Sequence, residues 1–136
     1  MTRFMMTLDE SVDLVVHAMT HAEGGEIFVR KAPAATVGDL AGAMIAKYGN
    51  GSSVPIKVTG IRPGEKLDEV LVNEYEMQRA AEGREYFTIY PEYRPVKVVP
   101  DVPLGTEYTS ANTRRLNDVA EIGALLDRMG LVEYYV

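Results

Sequence analysis

Cysteine is absent from the 136 residues. That excludes disulfides, thiolate metal sites and a cysteine nucleophile at once. No apolar run approaches the roughly 18 residues that a membrane span needs. No charged-then-apolar leader opens the chain, so a cytoplasmic location is the default expectation. Basic clusters are missing as well. With a net charge of −6 the chain has no electrostatic footprint for nucleic acid, and any anion it binds must be met by a local arrangement of arginines. The glycine-rich dinucleotide fingerprint, the Walker A loop, the Gly-x-Ser-x-Gly elbow and the His-Glu-x-x-His helix are all lacking. We expect no catalytic Tyr-x-x-x-Lys, the pair that supplies a phenol of lowered pKa, and no nucleophile beside a plausible base. Taken alone, the chain lacks the parts of an enzyme.

What remains is an ordinary globular composition, 46% apolar and 25% charged, long enough for a single domain over residues 1–136. Thr2–Thr7 reads as a strand. Thr7 and Glu10 then form a capping box for a helix whose Leu8, Val12, Val15, Val16 and Met19 recur at helical spacing and predict one buried face. His17 and His21 lie four apart on that helix; without a third ligand nearby they read as solvated residues, not a metal site. Glu26–Arg30 predicts a strand and Lys31–Pro33 a loop. Thr36 caps a second helix, with Asp39 in its first turn and Val37, Leu40, Ala41, Met44, Ile45 and Tyr48 at the same period.

Pro55–Thr59 reads as a further strand. Leu67–Val72 suits a short helix, a strand or one of each. Asn73 caps a helix predicted over Glu74–Ala81, and Tyr86–Tyr90 has the content of a strand. Residues 91–108 carry four prolines and predict an extended loop, whose length suggests a lid or a partner surface. Asp118 and Glu121 read as a capping box for a last helix with Val119, Ile122, Leu125, Leu126 and Met129 on one face. Alternating units of this kind indicate an α/β fold.

The organising stretch is Gly60-Ile61-Arg62-Pro63-Gly64-Glu65-Lys66. Proline presets φ and glycine accepts the positive φ of a type II turn. The turn is flanked by Arg62, whose planar fork suits a phosphate or carboxylate, and by Glu65, which can take sugar hydroxyls. The plainer reading is a surface turn in which Arg62 and Glu65 pair with each other.

Several stretches together resemble the CapD-type polysaccharide biosynthesis proteins, a group of extended short-chain dehydrogenases that includes UDP-N-acetylglucosamine 4,6-dehydratases and related 4-epimerases. They are Met1–Phe4 with Thr7–Glu10, Gly25–Val29 with Lys31 and Pro33, Asp39–Ala41, Gly60–Leu67 with Glu69, and Tyr108–Ser110 with Asn112. The resemblance covers the C-terminal, substrate-binding portion of such a protein, without the N-terminal Rossmann cofactor-binding half that carries NAD(P) and the catalytic Tyr-x-x-x-Lys. It implies a UDP-sugar as ligand, with Arg62 on the diphosphate, Glu65 at the ribose and Arg3 reaching the diphosphate from the other side. Asn112 would border the cleft, in no assigned role. Arg3 has a local alternative, pairing with Asp9 or Glu10, and Tyr86 and Phe87 read as core rather than a base-stacking platform. The implied chain binds no cofactor itself and is inactive without a Rossmann half. That half would be supplied by a separate chain if the gene is split. The apolar face normally packed on it should drive formation of a homo-oligomer. The rival expectation is a non-catalytic binding or assembly module that keeps only the fold.

Overall fold

A computed structural model describes residues 1–51, 53–94 and 102–130. Every hydrogen-bonded ladder among them is antiparallel, and the strands are short. β1 (Thr2–Phe4) pairs with β3 (Ala34–Thr36), Arg3 opposite Ala35. β6 (Tyr86–Ile89) lies between β2 (Ile27–Arg30) and β5 (Ala80–Glu82) in a three-stranded sheet. β4 (Val70–Val72) pairs with β7 (Tyr108–Thr109) through a register shift. A lone parallel bridge joins Ala34 to Arg115. The result is a small α/β domain of mixed sheets and helices.

Four helices complete it: α1 (Leu8–His21), α2 (Val37–Tyr48), the one-turn α3 (Glu74–Met77) and α4 (Val119–Arg128). The predicted capping box of α1 is formed in both directions. The Glu10 amide donates to Thr7 Oγ1 at 3.2 Å and the Thr7 amide to Glu10 Oε2 at 2.8 Å, which satisfies two of the amides a helix start leaves open. Burial works to raise the Glu10 pKa, but the Thr7 bonds and the Arg30 charge outweigh it and hold the carboxyl below its ordinary 4.5. Thr36 caps α2 through the Asp39 amide at 2.9 Å.

Two apolar clusters hold the domain together. In one, Met5, Ala35 and Ala43 meet Leu116 and the α4 residues Ile122, Leu125 and Leu126; in the other, Val72, Met77, Ala80, Phe87, Ile89 and Tyr108 pack with Phe4 and Val29. β1 and the residue after it therefore serve both, with Phe4 packed on one cluster and Met5 in the other.

Several expectations need correction. The α1 face is not buried: Leu8, Val12, Val15, Val16 and Met19 are all more than half exposed. Pro55–Thr59 forms no strand, since no ladder partner among the described residues reaches it, and Ile56 and Val58 are exposed. Conversely, Ala34–Thr36 is a strand because β1 lies alongside it, a pairing that no local propensity reports. The helix predicted through Ala81 stops after one turn at Met77, and Ala80–Glu82 adds to β6 instead. At α4 only half of the expected box exists. Asp118 accepts from the Ala120 amide at 3.1 Å, but the Glu121 carboxylate turns away to Arg114. Val119 is likewise exposed, not on the buried face. Of the predicted loop over 91–108, residues 95–101 lie outside the described part.

Candidate functional site

The predicted turn is present. Glu65 donates its amide to the Arg62 carbonyl at 3.1 Å, closing four residues, and Gly64 at the third position has φ of 87°. That φ is what a type II turn demands of glycine. Glu65 does not pair with the Arg62 guanidinium. Its Oε2 instead accepts the Arg62 amide at 2.9 Å, which locks the turn from the side-chain end. All of residues 60–67 are exposed, and among the described residues the Arg62 guanidinium makes no hydrogen bond or ion pair. A cation and a carboxylate carried by one turn can take an anion and a hydroxyl.

Arg3 lies under this turn, and neither Asp9 nor Glu10 is its partner. Its Nη1 donates to the Thr2 carbonyl at 2.6 Å and to Leu67 at 3.4 Å, Nη2 donates to Lys66 at 3.1 Å, and Nε sits 3.4 Å from Glu69 Oε1. Among the described residues the guanidinium thereby makes three hydrogen bonds to backbone carbonyls and one ion pair. Arg3 and the end of the turn lie together, and the guanidinium braces the backbone at Lys66–Leu67. Asn112 also has a structural task. Its Oδ1 accepts the Thr109 amide and its Nδ2 donates to the Glu107 carbonyl, both at 2.8 Å, which fixes the turn after β7.

The family model for polysaccharide biosynthesis proteins matches residues 1–91. The chain belongs to this family. Among similar proteins are the UDP-glucose 4-epimerase of Rickettsia rickettsii, 40% identical over 93% of this chain and 39% of the relative, and that of Rickettsia canadensis, 39% identical over 98% and 40%. In three dimensions the chain matches the crystal structure of Pen from Bacillus thuringiensis with a TM-score of 0.79 and 31% identity, over 96% of this chain and 39% of that one. The chain thus spans about two fifths of the length of the relatives it matches.

For a polysaccharide biosynthesis protein, one groove among the described residues has an unexpected place. Its roughly 750 Å³ lie between the end of α1 and the three-stranded sheet, away from Arg62. The histidines are there, and His17 is not simply solvated. Its ring is stacked 4.1 Å from both His21 and Tyr86 and meets Phe28 edge-on. Rings stacked in this way point their nitrogen lone pairs along nearly parallel lines rather than toward one ion, and among the described residues no group of three metal-ligating side chains occurs. The stack is packing: it fastens α1 to the sheet. Phe87 is core, as expected, while Tyr86 belongs to this stack. Across the same groove Glu26 accepts the Gly24 amide at 2.7 Å and meets Arg94 at 3.1 Å, with its own amide contributing most, so its pKa falls below the usual 4.5.

One earlier expectation fails on the sequence itself. Tyr93 and Lys97 do have the Tyr-x-x-x-Lys spacing. The chain is not helical from Pro91 to Arg94 and Tyr93 is exposed, so the helical turn that would place a lysine beneath the phenol does not start there; Lys97 lies outside the described residues. What sequence reasoning missed is the trio Thr2, Asp68 and Ser110, joined by side-chain hydrogen bonds of 2.6 Å across 66 and 108 positions. Its sole signal is that Thr2 and Ser110 fall inside stretches that carry the family resemblance.

Proposed function

We propose that this chain is the UDP-sugar-binding portion of a nucleotide-sugar 4-epimerase or 4,6-dehydratase of polysaccharide biosynthesis. The observation that carries this reading is the turn at Arg62–Glu65, locked by the Glu65 carboxylate on the Arg62 amide, with an Arg62 guanidinium that has no partner among the described residues. Arg62 holds the diphosphate, Glu65 the ribose hydroxyls, and Arg3 reaches the diphosphate from beneath. The similarity to UDP-glucose 4-epimerases supports the substrate class. In the complete enzyme a Rossmann half would hold NAD(P), which would supply the acceptance and return of a hydride at the sugar. This chain alone binds no cofactor and does not turn over. The exposed α1 stripe is the face that meets the missing half, and in the isolated chain it drives self-association.

The test is Arg62→Ala. Losing a charged hydrogen bond should weaken UDP binding by about 1.5–3 kcal/mol, read by calorimetry on a folded variant. A second reading draws on Arg3, whose guanidinium is mostly spent on backbone carbonyls: a non-catalytic assembly module that keeps the fold. In that case Arg62→Ala leaves UDP affinity unchanged and alters stability alone.

A further inference from the structure

The hydroxyls of Thr2 and Ser110 are among the few polar groups in the domain interior, at 6% and 3% exposure. Thr2 Oγ1 donates to Asp68 Oδ1 at 2.6 Å, and its single proton is thereby committed. The 2.6 Å contact between Thr2 Oγ1 and Ser110 Oγ then carries the Ser110 proton toward Thr2, whose own carbonyl is a second, longer acceptor for it at 3.3 Å. Ser110 Oγ in turn accepts the Glu69 amide at 2.8 Å. The order of donors is therefore fixed, from the Glu69 N–H through the Ser110 and Thr2 hydroxyls to the Asp68 carboxylate. Because Asp68 and Glu69 are neighbours, the chain closes into a ring. Two backbone bonds flank it, Thr2 N–H to the Leu67 carbonyl and Ser110 N–H to the Glu69 carbonyl, both at 2.8 Å.

We propose that this ring is a latch that positions the Gly60–Glu69 loop, with Thr2, Asp68 and Ser110 as positioning residues for the turn at Arg62–Glu65. The proposal rests on the reading of that turn as the UDP-sugar contact. The segment that leads into the loop, Ser53 to Thr59, is in no strand and pairs with no strand among the described residues. The turn is therefore held from its C-terminal side, where the latch and the Arg3 brace act on adjacent residues. The two central hydroxyls, Thr2 and Ser110, each donate and accept, so their bonds strengthen one another, and one missing hydroxyl leaves buried partners unsatisfied. Opening the latch frees the turn without touching a ligand atom, so binding must first restore the turn's order.

Hydrogen exchange of the ligand-free protein reads the latch whether or not UDP binds. Thr2→Val removes the hydroxyl at constant shape, Asp68→Ala removes the ring's acceptor from a half-exposed site that the core does not need, and Thr2→Ser keeps the ring. In Thr2→Val and Asp68→Ala the hydrogen-bonded amides of Arg62, Glu65 and Glu69 should exchange about tenfold faster while those of α4 are unchanged, UDP should bind about tenfold more weakly, and Thr2→Ser should restore both. Arg62→Ala should lose UDP and leave loop exchange unaltered. Loop exchange that stays at the wild-type rate in Asp68→Ala overturns the latch, as does acceleration spread evenly over the domain. Wild-type protein that shows latch-dependent exchange but binds no UDP overturns the substrate reading and leaves the latch standing.

Discussion

α1 and α4 read almost alike in sequence, each with a side-chain cap and an apolar stripe at helical spacing, yet they end in opposite environments. On α4, Ile122, Leu125 and Leu126 are at most 3% exposed and pack against Met5, Ala35 and Ala43. On α1, no residue is buried. Helical periodicity reports that a face is apolar; it does not report whether anything in the same chain covers that face. α1 is held instead at its ends, by the Thr7–Glu10 box and by the His17–Tyr86 stack, with its stripe left outward.

The contrast breaks most visibly in the core. Leu126→Ala should destabilise the domain by about 2–5 kcal/mol, as buried Leu→Ala substitutions do, measured by urea denaturation. Thr7→Ala should cost about 1 kcal/mol, since α1 depends on its cap and has no buried face to fall back on.

The acid limb follows from the same end contacts. Glu10 and Glu26 both titrate below 4.5 in the folded chain, so the stability they supply is complete above that pH and is lost as pH falls through their folded values. Glu10→Gln should flatten that part of the stability–pH profile, and an unaltered slope would remove the Thr7 and Arg30 bonds from the account. At the stripe itself, Val16→Glu should change stability by no more than about 0.5 kcal/mol, while sedimentation across a concentration series shifts toward monomer. A wild-type chain that is monomeric throughout would show that the exposed stripe does not self-associate.

The caps and the turn were legible because they are local. Thr7 with Glu10, Thr36 with Asp39 and the turn at Pro63-Gly64 are each decided by residues within a few positions. Strand pairing is not. Pro55–Thr59 has strand-like content and no partner, whereas the alanine-rich Ala34–Thr36 and Ala80–Glu82 have weak propensity and become strands because β1 and β6 lie beside them. At the site, Arg62 and Glu65 could be named from the turn, but the use to which Arg3 is put could not. Its carbonyl partners at Lys66 and Leu67 lie 63 and 64 positions away, as remote from any sequence pattern as the Thr2–Ser110 contact.

Calorimetric titration of the wild-type chain with UDP, and separately with UDP-N-acetylglucosamine, tests the central claim most directly. A preformed recognition turn predicts saturable binding of both ligands. No heat from either, with the sample folded by circular dichroism, would contradict it.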